Sequence, residues 1–234
     1  MAEAILKYEL IDDVAILTMD DGRANALGHQ MIDAIGAGLR RADGEAKSVL
    51  LLGREKRFCA GFDLDVMASG QEHVQKLVTA GAELMLDMYT HSLPIVIGCT
   101  GHALAAGGLL LLSADARIGA EGDFKIGLPE VAIRMTLPIF GVELARDRLA
   151  RNHFTAAVTQ ARIYNPVEAT LVGYLDQTAP AERLKETAMA RARELAALPQ
   201  PAFRNTKRKE RAATVKLIRD TLMEDLHTFD GATR

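Results

Sequence analysis

Three short segments carry the residue types that chemistry needs. Arg57-Phe58-Cys59-Ala60-Gly61-Phe62-Asp63-Leu64 comes shortly after a buried-strand pattern, Ser48 to Leu52. Gly101-His102-Ala103-Leu104-Ala105-Ala106-Gly107-Gly108 follows another, Ile95 to Cys99, and runs into the apolar Leu109 to Leu112. Leu128-Pro129-Glu130-Val131 holds one carboxylate among apolar neighbours. In the first two segments a strand ends, small residues follow and a helix begins. A helix start leaves main-chain N–H groups unpartnered and carries partial positive charge. Small side chains let a ligand atom come close to the backbone. Two such ends facing each other make an anion site. Aimed at a carbonyl, they would stabilise the charge that develops on its oxygen. Taken singly, each segment also reads as tight helix–sheet packing. Their conjunction in this order is more specific.

The surrounding elements must position these segments. Ala4 to Leu10 and Val14 to Met19 read as two antiparallel strands, followed by the turn signal Asp20-Asp21-Gly22. Met31, Ile32, Ile35 and Leu39 recur at helical spacing between Gly28 and Ala42, and Val74, Leu77, Val78, Leu84, Met85 and Met88 mark a long helix that Pro94 ends. Arg54 to Arg57 reads as a charged surface turn, Leu109 to Leu112 as a buried helix and Ala114 to Ile118 as a strand. Strands joined through helices are the mark of an α/β fold. Beyond Pro129 the pattern is mainly helical: Gly141 to Leu149, Asn165 to Gly173, Ala181 to Leu198, and a basic helix from Pro201 to Phe229. One domain is expected, with a core over 1–164 and a helical C-terminal region over 165–234.

Composition narrows the function classes. A length of 234 residues suits one sizeable domain, and a net charge near −3 gives no support to nucleic-acid binding. Cys59 and Cys99 stand in apolar stretches outside any CxxC or Cys/His metal spacing, so reduced buried thiols in a cytoplasmic protein are expected and no metal site. The first ten residues carry Glu3, Lys7 and Glu9, which fits neither a signal peptide nor an anchor, and no membrane association is expected. No P-loop, G-x-G-x-x-G or Ser/His/Asp arrangement is present.

The three segments, with Asn25-Ala26-Leu27 before them and Ala169-x-x-x-Gly173-x-Leu175-Asp176 after them, resemble the crotonase superfamily of enoyl-CoA hydratases and isomerases. The resemblance spans about residues 8 to 210 in the family's order. It implies a spiral of ββα units, a helical C-terminal region that mediates trimer formation, and a homotrimer or hexamer. It implies an acyl-CoA thioester as ligand and no cofactor beyond the CoA of the substrate. On the family's pattern the amides of Ala60 and Ala106 hold the thioester oxygen, and Gly107 belongs to the same loop. Arg23 and Ala24 lie at the CoA adenine end. Gly61, Phe62, Asp63 and Leu64 line the neighbouring wall. Lys207 or Lys209 of the basic helix is a candidate for the CoA phosphates, although a solvated helix face explains these lysines equally well.

Two departures from the family bear on the reaction. Hydratases of the family hold a water between two glutamates. One position maps onto Glu130 and the other onto Leu109, which cannot exchange a proton and removes an acceptor for that water. The family's isomerases work with one principal carboxylate, and apolar surroundings would raise the pKa of Glu130 toward that of a proton shuttle. Second, Arg134-Met135-Thr136-Leu137-Pro138-Ile139-Phe140 replaces a glycine-rich stretch, and in a helix Arg134 would pair with Glu130 four residues earlier. Glu143 at an expected helix start is a lesser carboxylate, and His102 reads as a packed, hydrogen-bonded side chain. The expectation is an enzyme of enoyl-CoA esters, isomerisation before hydration, with Glu130, Ala60 and Ala106 as its catalytic groups. The alternatives are a hydratase with an atypical second acid/base, another thioester reaction, and a non-catalytic acyl-CoA binder.

Overall fold

The structure is a computed structural model that describes residues 4–227. Its strands are β1 (Leu6–Ile11), β2 (Val14–Met19), β3 (Ser48–Leu52), β4 (Lys56–Cys59), β5 (Ile95–Cys99), β6 (Gly101–Leu104), β7 (Ala116–Ala120), β8 (Ile126–Gly127) and β9 (Gln177–Ala179). Its helices are α1 (His29–Glu45), α2 (Leu64–Met67), α3 (Gln71–Thr90), α4 (Ala106–Ser113), α5 (Ile139–Arg148), α6 (Phe154–Val158), α7 (Pro166–Val172), α8 (Leu184–Ala196), α9 (Gln200–Glu210) and α10 (Ala212–His227). The last two positions of the expected Pro201–Phe229 helix, 228 and 229, lie outside the described residues.

β1 and β2 form an antiparallel hairpin, and its turn residues Asp12 and Asp13 have φ of 49° and 62°. Two left-handed residues match the twist of the flanking strands. From β3 on, the chain repeats one unit: a strand in a large sheet, a strand in a small sheet, then helix. The large sheet has the order β1-β2-β3-β5-β7-β9 and the small one β4-β6-β8. Every pair after the hairpin is parallel. This is the expected ββα repeat.

Alternation along the strands of the large sheet feeds two cores. Ala15, Leu17, Met19, Val49, Leu51, Ile95 and Ile97 face α1, α3 and α4. Val14, Ile16, Leu50, Leu52, Val96 and Ile118 face α8, where Leu184, Ala188, Met189 and Leu195 cover them. A parallel sheet covered on both faces requires the near-continuous apolar runs these strands show. α4 is buried at every position, as a helix apolar all round must be.

The small sheet departs from expectation. The charged Arg54–Arg57 stretch was expected as a turn, yet its end opens β4, and β6 begins in the small-residue segment. β4 and β6 have four residues each and β8 has two. Such short pairings are set by the register of neighbours rather than by propensity. The C-terminal region is not wholly helical either, since β9 extends the large sheet beside β7. The expected single basic helix is two, α9 and α10, and Ile218, Leu222 and Leu226 of the second pack into the main core.

One buried ion cluster ties those helices to the sheet. Asp115 accepts from Lys207 Nζ at 2.7 Å, from Arg211 Nη2 at 2.8 Å and from the Ile95 amide at 2.8 Å. All three side chains are buried, so removing the anion strands two cations in the interior. Asp115→Ala is expected to lower the unfolding free energy by about 3–5 kcal/mol, read from urea unfolding followed by circular dichroism. A loss under about 1 kcal/mol would mean that the cations are solvated.

Candidate active site

The small sheet brings the three segments together. Cys59 of β4 is paired with Ala103 of β6, and Leu104 of β6 with Gly127 of β8. The chains leaving these strands, at residues 60–63, 105–106 and 128–130, therefore emerge side by side. A Cβ built on Gly61 would lie 3.1 Å from Ala105 Cβ and 3.8 Å from the Ala106 nitrogen. One on Gly107 would sit 2.2 Å from the Cys59 carbonyl oxygen, so only glycine lets α4 start this close to the end of β4. Gly108 abuts Gly127 and Leu128 in the same way, at 3.0 and 3.2 Å.

The amide donors differ from expectation at one position. The Ala60 N–H donates to the Ala24 carbonyl at 3.1 Å, so it is spent on a neighbouring loop. Beyond it the chain pairs with Leu27, whose N–H donates to the Gly61 carbonyl at 2.8 Å and whose carbonyl accepts from the Asp63 N–H at 3.2 Å. The Gly61 carbonyl and the Phe62 N–H belong to one trans peptide and point opposite ways. The Phe62 N–H is therefore turned away from Leu27, and it has no hydrogen-bond partner among the described residues. The Ala106 N–H, at the first position of α4, is likewise unpartnered among the described residues. Phe62 and Ala106 thus replace Ala60 and Ala106 as the free pair. Sequence reasoning placed Phe62 in the ligand wall but missed its amide, because the pairing that orients that amide runs to residue 27. The local signal was Asp63, whose carboxylate caps α2 by accepting from the Asp65 and Val66 amides at 2.9 and 3.4 Å.

Side chains fix these loops. Asn25 is fully buried and its side-chain amide donates to the carbonyls of Met19, Arg57 and Phe58 at 3.1, 3.2 and 3.2 Å. The Phe62 ring lies where a Cβ on Gly81 of α3 would stand, 2.4 Å from that point. Ala105 holds φ 53° and ψ −123°, a region costly for any residue with a Cβ. That strain lies at the residue that aims the Ala106 amide.

Glu130 opens a single turn of 3-10 helix (Glu130–Ile133) and is 7 % exposed. Its Oε2 is buried without a hydrogen-bond partner among the described residues. Burial pushes its carboxyl up to about 7, and its own backbone N–H opposes the shift. Arg134 does not act on the Glu130 carboxyl as the i,i+4 reading expected, because the turn is not α-helical and Arg134 ends it in the left-handed conformation, φ 63°. Leu109 is buried in α4, and Gly141 of α5 faces it, with 3.2 Å between a built Cβ and Leu109 Cδ1.

The other expected residues fall as follows. Arg23 is exposed and Ala24 half-buried, beside the 57–60 segment through the Ala24 carbonyl; Leu64 is 77 % exposed. Lys207 does not face a ligand. Its ammonium is enclosed with Asp115, and burial pulls it down to about 8 although Asp115 opposes the shift. Lys209 is exposed. Glu143 lies in the second turn of α5 and accepts from Arg146 Nε through both oxygens, at 3.1 and 3.2 Å. His102 Nδ1 accepts from the Lys125 amide at 3.0 Å, and its ring meets Phe124 edge to face. Cys59 and Cys99 are free, buried thiols pushed up to about 12, which leaves neither a thiolate nucleophile near neutral pH.

Comparison with known proteins gives the family and the fold. The profile of the Enoyl-CoA hydratase/isomerase family matches residues 9–230. A crystal structure of an enoyl-CoA hydratase/isomerase family protein from Pseudomonas syringae superposes with a TM-score of 0.94 at 38% identity, covering 96% of this chain and 98% of that one. The human protein named enoyl-CoA delta isomerase 1, mitochondrial, is 26% identical over 92% of this chain and 73% of its own length. A probable enoyl-CoA hydratase of Rhodobacter capsulatus is 32% identical over 52% of this chain and 48% of its own length.

Two outcomes follow from the strained and buried groups. Ala105→Gly is expected to raise stability by on the order of 1 kcal/mol, read as an increase in urea midpoint, because relief of strain exceeds the added chain entropy. Glu130 titrates near 7 when folded, against an ordinary 4.5. The folded chain therefore binds the proton more tightly, and stability falls as pH rises through that window. Glu130→Gln stays neutral, so its advantage over the parent should widen from about pH 5 to about pH 8, reaching on the order of 2 kcal/mol. A constant difference would refute the raised carboxyl pKa.

Proposed function

The chain belongs to the enoyl-CoA hydratase/isomerase family of the crotonase superfamily, and on that footing we propose that it shifts the double bond of enoyl-CoA thioesters, with Glu130 as sole acid and base. The thioester oxygen would lie between the Phe62 and Ala106 amides. Ionised Glu130 takes a proton from C2 of a 3-enoyl-CoA. The electron pair moves into the C1–C2 bond and the carbonyl becomes an enolate oxygen, stabilised by the two amides. The protonated carboxyl then delivers the proton to C4, the C2–C3 double bond forms, and the carbonyl is restored. The step is redox-neutral and needs no cofactor beyond the CoA of the substrate.

The observation that carries this reading is the buried carboxyl of Glu130, unpartnered at Oε2 and held near 7. A shuttle must be ionised in one half of the cycle and protonated in the other, which a group titrating near the working pH does best. Leu109, at the position of the second hydratase glutamate, favours isomerisation, since hydration needs a water gripped by two polar groups. The isomerase name of the similar human protein supports the same choice. Arg23, Ala24 and exposed Lys209 remain the proposed contacts for the CoA end, with Gly61, Asp63, Leu64 and Gly107 around the thioester. A homotrimer or hexamer goes with this reading.

The test is conversion of 3-enoyl-CoA to its conjugated isomer, followed by ultraviolet absorbance. Glu130→Gln is expected to slow kcat by about 10²–10⁴-fold with a smaller effect on KM. Turnover that survives the substitution would remove Glu130 from the reaction. Saturable acyl-CoA binding without turnover in the parent would mark the chain as a binder.

A further inference from the structure

Among the described residues, five side-chain oxygens are buried without a hydrogen-bond partner, and three of these belong to Glu130 (Oε2), Tyr164 and Tyr174. The two tyrosines are 2 % and 0 % exposed, and their ring centroids are 6.0 Å apart. The topology explains how they meet. Tyr164 exchanges both backbone hydrogen bonds with Ile126, four residues ahead of Glu130 on the chain leaving β8. Tyr174 is turned back into the core by Gly173, the left-handed cap of α7 at φ 102°. After burial, the groups that act electrostatically on the Tyr174 phenol are Glu130 and Tyr164, so both carboxyl and phenol lie within its reach. On the outer side of Tyr164 are Arg162, with its guanidinium 5.2 Å from the ring, and Glu168; Arg134 closes the same turn as Glu130.

A buried polar atom left unpaired is costly, and the three are complementary, because phenols donate and a carboxylate accepts. A single buried water needs two to four polar partners, which this cluster supplies. We propose that Tyr174 is a positioning residue for Glu130, its hydroxyl joined to Oε2 through one bound water and backed by Tyr164. The water holds the carboxyl in one orientation and favours its ionised form, against the burial that favours the acid. This deepens the reading of Glu130 as acid and base and rests on it, but the linkage itself is observable without turnover.

The infrared band of the protonated Glu130 carboxyl, assigned by its loss in Glu130→Gln, is titrated in the parent and in Tyr174→Phe. Removing the donor is expected to raise the midpoint by about one pH unit, a tenfold change in the ionisation equilibrium. An unchanged or lower midpoint overturns the proposal. A second measurement needs no tyrosine substitution. With Cζ-labelled tyrosine, four residues contribute, and the Tyr174 resonance should follow the Glu130 midpoint and lose that response in Glu130→Gln. A Tyr174 resonance blind to Glu130 also overturns it. Absence of isomerase turnover would count against the proposed reaction and leave both readouts intact.

Discussion

The lateral register of three very short parallel strands is the constraint on which the site depends. β4, β6 and β8 have few residues each, yet their ladder decides which backbone atoms leave the sheet together. Because the pairing is parallel, all three exits lie at one end. Glycines 61, 107 and 108 then allow the exits to approach at distances a side chain would forbid. The amides of Phe62 and Ala106 are aimed by main-chain geometry, which a side-chain substitution disturbs only through the packing. Asn25 reinforces the arrangement by satisfying three carbonyls from one buried amide.

Against this rigid frame the carboxyl of Glu130 is the element free to change charge. It owes its raised pKa to removal from water, with no arginine to hold it ionised. The same low dielectric has a different outcome at Asp115, where two cations share the anion and the charges are retained. The contrast separates a buried carboxyl whose neutral form is favoured from one that fastens the C-terminal helices to the sheet. It also explains why Lys207, basic and on the helix where phosphate contacts were sought, serves the fold.

Much of this was legible in the residues alone. Period-two apolar runs marked the strands of the large sheet, and helical spacing marked α1 and α3, because burial on fixed faces writes a period into the chain. The three motif segments marked the family, since residue type and order along the chain are enough to carry such a resemblance. The small sheet left no such period, being too short and too mixed in charge.

What tertiary structure decided was direction and environment. The choice between the amides of residues 60 and 62 turned on pairings with Ala24 and Leu27, more than thirty positions away. The inward turn of Lys207 and the gathering of Tyr164, Tyr174 and Glu130 likewise depend on chain segments distant in sequence. A sequence determines which donors, acceptors and charges exist, because these are covalent facts. Which of them are spent, buried or left facing one another is settled only when the chain folds, since each depends on what lies within a few ångströms in space.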